Sequence, residues 1–98
     1  MKNIIEQLNK AFDNRVRLGI MSILLVNEEV DFNEMKERLD LTDGNLASHI
    51  SALEKLDYVL VKKEFVGKKT KTTYQVSILG KKAFQDHIKA LEKLLHKK

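Results

Sequence analysis

The stretch from residue 31 to residue 74 constrains the fold most. It reads as two short helices joined by a tight turn, followed by a β-hairpin with a lysine-rich tip. Asp31 with Glu34 three residues later is the pattern of a capping box, with Asp31 as N-cap. Phe32, Met35 and Leu39 then share one inward face, and Asp40-Leu41 ends the helix. Thr42 is a good N-cap for a second helix over residues 43–57, and the acid at its first turn, Asp43, suits the helix dipole. Its apolar stripe is Leu46, Ile50, Leu53 and Leu56. Residues 58–66 and 72–78 are rich in strand formers, and Gly67-Lys68-Lys69-Thr70-Lys71 lies between them as the hairpin tip.

The flanking segments complete a single domain over residues 1–98. Residues 3–12 carry Ile4, Ile5, Leu8, Ala11 and Phe12 on one helical stripe. Asp13-Asn14 breaks that helix and can cap the next one, over residues 15–26. That segment is apolar nearly all round, which predicts a central, buried helix. Ser77 can cap a last helix over residues 79–97, with a seam of Phe84, Ile88, Leu91 and Leu95 at coiled-coil spacing. The expected fold is α+β and mainly helical. It is a winged helix-turn-helix, with a three-helix core, a β-hairpin wing, and N- and C-terminal helices that dimerise. Within it, residues 31–57 are the helix-turn-helix, 58–78 the wing and 79–98 the C-terminal helix.

The charge is unevenly placed. Residues 62–71 hold five lysines and one acid, an excess of four that equals the net charge of the whole chain. Elsewhere 13 basic and 13 acidic side chains cancel. A major-groove-sized helix with a cationic hairpin beside it makes a DNA-docking surface, not a catalytic cleft. On the outer face of the second helix stand Asn45, Ser48, His49 and Ser51, short polar groups suited to base edges or phosphates, with Thr42 at its start. Gly44 and Ala52 leave room for close approach. In the wing, Lys62, Lys68, Lys69, Thr70 and Lys71 are placed for phosphate contact, which is insensitive to sequence and steeply salt-dependent. A two-fold dimer through Ile4, Ile5, Leu8 and Phe12 and through Phe84, Ile88, Leu91 and Leu95 would set two recognition helices about one DNA turn apart. The expected partners are therefore double-stranded DNA and a second copy of the chain.

One segment points the other way. Residues 28–43 hold seven acids and two bases. That motivates a second reading, a winged-helix module that binds protein. The confinement of charge to the wing motivates a third, a sequence-independent architectural DNA binder. Enzyme chemistry is not expected. There is no cysteine, no H-E-x-x-H, no phosphate-binding glycine loop and no G-x-S-x-G. No catalytic residue, metal ligand or cofactor is assigned. Asp86 and His87 are adjacent, and His96 lies nine residues further, about 14 Å along a helix at ~1.5 Å per residue, so they do not form one site. No apolar run approaches the ~20 residues of a membrane span, and an acid and amides come too early for a signal peptide. A cytoplasmic protein is expected. Nothing in the residues identifies a small-molecule effector; the space between the end helices and the motif is the first place to look for one.

Several segments resemble the small winged-helix transcriptional regulators related to the MarR and ArsR families. They are Val16-Arg17-Leu18-Gly19-Ile20-Met21, Phe32-Asn33-Glu34-Met35-Lys36 and Leu41-Thr42-Asp43-Gly44-Asn45-Leu46-Ala47-Ser48-His49-Ile50. Leu53-Glu54-Lys55-Leu56, Tyr58-Val59, residues 67–74 and Ser77-Ile78-Leu79-Gly80-Lys81 continue the likeness. It implies a homodimeric prokaryotic DNA-binding regulator, usually a repressor, in which the outer face of the 42–57 helix reads the major groove and the hairpin grips the flanking backbone. Two positions depart from the family pattern. Asp57 stands where glycine is common, and asparagine and arginine at 14–15 replace a frequent proline. Aspartate tolerates the left-handed conformation such a helix end needs, so the turn is expected to survive. Arg17 is the matching basic residue, in a structural role.

Overall fold

The computed structural model describes residues 4–96. Two 3-10 turns, Ile4–Gln7 and Lys10–Phe12, lead into α1 (Arg15–Val26), β1 (Val30–Asp31), α2 (Phe32–Leu39) and α3 (Asp43–Lys55). The strands β2 (Val59–Val66) and β3 (Lys69–Val76) and the long α4 (Ile78–His96) follow. The sheet is antiparallel with order β1-β3-β2, so the return strand of the hairpin is its centre. This is the expected α+β winged helix.

The helix starts are made by the capping residues. Asn14 Oδ1 accepts from the backbone N–H of Val16 and Arg17 at 2.9 and 3.1 Å. Asp31 Oδ1 accepts from Glu34 N–H at 2.7 Å, while the Glu34 carboxylate meets Arg38 at 2.7 Å instead of closing the capping box. Thr42 Oγ1 accepts from Asn45 N–H at 3.2 Å. Ser77 Oγ accepts from Gly80 N–H at 2.8 Å and donates to the Asp57 carbonyl at 2.6 Å.

Both helices of the motif end alike. Asp40 and Asp57 are left-handed, with φ of 52° and 62°. The next residue's N–H reaches back five positions, Leu41 to the Lys36 carbonyl and Tyr58 to the Leu53 carbonyl, each at 3.0 Å. These are Schellman closures, and the turn survives aspartate at 57 as expected.

The core lies between α1, α2, α3 and the base of the sheet, around Ile20, Met21, Leu24, Met35, Leu46, Leu53 and Val59. Beside it sits a second, aromatic focus. Phe12 packs edge-on against Phe84 at 5.1 Å and lies 5.3 Å from His87 and 5.5 Å from Tyr58. Asn9 ties the same elements with polar bonds. Its backbone N–H donates to His87 Nδ1 at 2.9 Å and its amide to the Tyr58 hydroxyl at 3.1 Å.

The structure corrects several expectations. Residues 4–12 form two 3-10 turns, not one α-helix, because the Asn9 N–H goes to His87 and the Asn9 side chain accepts from Ala11 N–H. Asn3 and Lys97, the outer bounds expected for the end helices, lie outside the described residues. The helix α1 is not buried all round; Leu18 and Val26 are exposed, since only its inner side meets α2, α3 and the sheet. The helix α3 stops at Lys55, and Leu56 is 44% exposed instead of joining the stripe. The hairpin turn is tighter than expected. Val66 pairs with Lys69, so only Gly67 and Lys68 form it. Gly67 has φ of 68°, and Lys68 is not in the positive-φ region, the pattern of a type II′ turn with glycine at its first central position. The strand β1 was not foreseen.

Two measurements test this account. Asp57→Gly should raise stability by about 0.5–1 kcal/mol, since the left-handed region costs an ordinary L-residue roughly 1–2 kcal/mol and aspartate less. Gly80→Ala should lower it by about 1–3 kcal/mol, because its Cβ would fall on the Tyr58 carbonyl. Urea unfolding of both variants decides; equal midpoints would refute the two backbone arguments. The second concerns His87, whose pKa is held below 6.5 by burial, with Asp13 pulling weakly upward. A depressed folded pKa means the unfolded chain binds the proton first, so this contribution is full above 6.5 and fades as pH falls below it. Melting temperature should drop between about pH 7.5 and about pH 5.5. His87→Asn, which keeps an acceptor for Asn9 but does not titrate, should show a smaller drop.

Candidate nucleic-acid interface

The outer side of α3 is polar and open. Thr42, Asn45, Ser48 and Ser51 are exposed, as are Asp43 and Gly44, and nothing lies within 4 Å of where a Gly44 side chain would stand. Leu46, Ile50 and Leu53 hold the opposite side in the core. The acid at the start of the helix is not left bare. Lys36 of α2 pairs with Asp43 at 2.8 Å, across the turn between the two helices. An exposed pair of this kind adds little stability. It does cancel negative charge beside the α3 N-terminus, where free backbone N–H groups would meet a phosphate.

His49 differs from its neighbours. It is half-buried on the flank of α3, and its Nδ1 accepts from Arg17 Nε at 3.2 Å. Arg17 also donates from Nη1 to the Ala11 carbonyl at 3.4 Å. Arg17 thus packs the start of α1 against α3 and the N-terminal turn, the structural role expected of it. Burial, and then the neighbouring guanidinium, hold the His49 pKa below 6.5.

The wing leaves the body of the domain. All side chains from 65 to 71 are exposed. Among the described residues no acid lies within ion-pair distance of Lys63, Lys68, Lys69 or Lys71, while Lys62 approaches Glu64 at 3.9 Å. The tip also carries Phe65 and Val66, 79% and 59% exposed, which the charge pattern did not single out. Strand parity accounts for Phe65. It shares the face of Val59 and Val61, but lies beyond the helices that cover that face nearer the base.

The candidate dimer residues divide into two groups. Phe12 and Phe84, 1% and 4% exposed, belong to this chain's own core and offer a partner no surface. Their packing on each other and on His87 uses up the faces that the periodicity marked as free. Leu91 and Leu95 are 46% and 74% exposed, Ile5 is exposed, and Leu8 and Ile88 are half-buried. The Ile4 side chain lies outside the described residues. Leu94 and Leu18 were missed and add to this apolar surface. An open groove of about 1030 Å³ runs between the N-terminal turns and α4, lined by Ile5, Leu8, Leu18, His87 and Leu91 among others. No metal-binding cluster of acid and histidine side chains occurs among the described residues, and His87 spends its Nδ1 lone pair on a backbone N–H. No helix of the described residues is long and apolar enough to cross a membrane.

The same fold and chain pattern occur in known proteins. The family model of the winged helix DNA-binding domain matches residues 16–95. An uncharacterized protein of Methanocaldococcus jannaschii is 38% identical over 79 residues, 81% of this chain and 86% of its own length. A transcriptional regulator homologue from Pyrococcus horikoshii superposes with a TM-score of 0.82 at 31% identity, covering 89% of this chain and 86% of that one. HlyU from Vibrio cholerae gives 0.66 at 29% identity, with 91% and 87% covered. AbfR bound to DNA shares the fold at 16% identity, with a TM-score of 0.71, covering 90% of this chain and 64% of that one.

Proposed function

The chain belongs to the winged helix DNA-binding domain family of transcriptional regulators, and from that premise we propose that it acts as a homodimeric, sequence-specific repressor on a pseudo-palindromic operator. The observation that carries this reading is the pairing of two surfaces within one domain. One is the polar, open side of α3, with Thr42, Asn45, Ser48 and Ser51 exposed and the half-buried His49 on its flank; the other is the wing, with Lys68, Lys69 and Lys71 in no ion pair among the described residues. The first has groups that tell base pairs apart. The second supplies affinity that does not depend on sequence. Thr70 lies between the wing lysines and Lys62 at the base, where its partial pairing with Glu64 leaves it a smaller share.

Dimerisation rests on the apolar groove and the end of α4. Leu91, Leu94 and Leu95 are exposed on the last two turns, and Leu91 lines the groove with Ile5 and Leu18. A second copy covering this strip would bury them and set two α3 helices on one face of a duplex. Repression would follow from occupancy, since a dimer on a promoter excludes other proteins from the same DNA.

Selection from a randomised duplex pool, followed by sequencing, tests the reading. A two-fold motif should be enriched. Replacing Lys68, Lys69 and Lys71 with Ala should weaken binding to all sequences alike and flatten the salt dependence by up to about 2–3 in slope per protomer, since each phosphate contact contributes ~0.9. Retention without enrichment would favour an architectural role. No retention at low salt would favour a protein partner for the acidic 28–43 segment. For the dimer, Leu91→Asp with Leu95→Asp should yield monomer in sedimentation and weaken operator binding by at least about tenfold, because the second half-site no longer assists the first. A double variant that stays dimeric would place the interface elsewhere.

A further inference from the structure

Arg17 is a half-buried arginine whose hydrogen bonds go to no acid. Its Nε points at the ring nitrogen of His49 and its Nη1 at the Ala11 carbonyl. Among the described residues it takes part in no ion pair. An arginine side chain has donors only. The atom it donates to must therefore present a lone pair, so His49 Nδ1 is unprotonated. The ring is neutral, and its single proton sits on Nε2. Which nitrogen of a histidine carries the proton is set by the bond the other one makes.

An unrestrained imidazole at this place could offer Nε2 as a donor in one tautomer and an acceptor in the other. It would then discriminate poorly between base edges. His49 lies one helical turn from Asn45 and three residues from Ala52, on the side of α3 that borders its open face. We propose that Arg17 is a positioning residue that locks the His49 tautomer, so that α3 presents a fixed N–H donor at Nε2 to a hydrogen-bond acceptor on a base edge. The matching acceptors in the major groove are purine N7, guanine O6 and thymine O4. Arg17 itself touches no DNA in this arrangement; it acts through the ring. The low pKa of His49 agrees, because a protonated ring would lose the Arg17 bond and set two cations together.

The inference rests on α3 reading DNA, and the experiment separates the two. Long-range 1H–15N NMR on histidine-labelled free protein should show His49 protonated at Nε2 alone. In Arg17→Met, which keeps a long apolar stem but removes the donors, the two nitrogens should average toward a tautomer mixture. In selection from the randomised pool, that variant should keep the two-fold motif and lose preference at one column per half-site, by about tenfold or more. His49→Phe, a ring without nitrogens, should lose the same column, and it decides the matter if Arg17→Met fails to fold. A ring protonated on Nδ1, or on both nitrogens, would overturn the lock. An unchanged selection profile would overturn the role in base reading, and so would weakening spread evenly over all sequences, the mark of a phosphate contact. A wild-type chain that retains no DNA would sink the proposed function and the base reading together, while the NMR result would still judge the lock.

Discussion

The Phe12 ring packs three distant parts of the chain against one another. It is 1% exposed and touches Tyr58 at the start of β2 and both Phe84 and His87 on α4. Asn9 adds a hydrogen bond to each of the same two elements. The root of the wing, the long last helix and the N-terminal turns are thereby joined at one point. A domain of this size buries a modest share of its surface, so a dry aromatic focus with its polar atoms satisfied does much to order the molecule. It also explains why the N-terminal segment gives up α-helical geometry. The Asn9 N–H is taken by His87 Nδ1 and is not available to a helical turn.

Electrostatics divides the molecule by function. The helix-turn-helix is acidic, and two ion pairs, Lys36 with Asp43 and Glu34 with Arg38, offset part of that charge. The wing lysines are mostly unspent. A polyanion would therefore be drawn first to the hairpin, and the neutral polar side of α3 would act at short range. On the proposed reading, attraction and discrimination sit on different elements, which would let each vary without the other.

Much of this was legible in the residues because the signals were local. Asp31, Thr42 and Ser77 cap helices through atoms three residues away, and a left-handed Asp57 is a property of one backbone position. What could not be read depended on distant partners. Phe12 and Phe84 show the periodicity of an exposed seam, and only the arrival of Tyr58 and His87 makes them core. The strand β1 is two residues long and exists because β3 passes beside it. Arg17 and His49 are 32 positions apart, and no spacing rule joins them. The exposed leucines of α4 were half visible. The seam pattern found Leu91 and Leu95 but passed over Leu94, since a lone helix projects on more than one side.

Asp31 belongs to two structures at once. It pairs with Thr73 in the central strand of the wing, and its side chain caps α2. The wing and the helix-turn-helix therefore share a residue. The turn at the far end of the hairpin is only two residues long and adds no slack. Asp31 thereby sets the distance between the start of α2 and the base of the wing, and on the proposed reading a duplex held by both α3 and the wing would have to suit that gap.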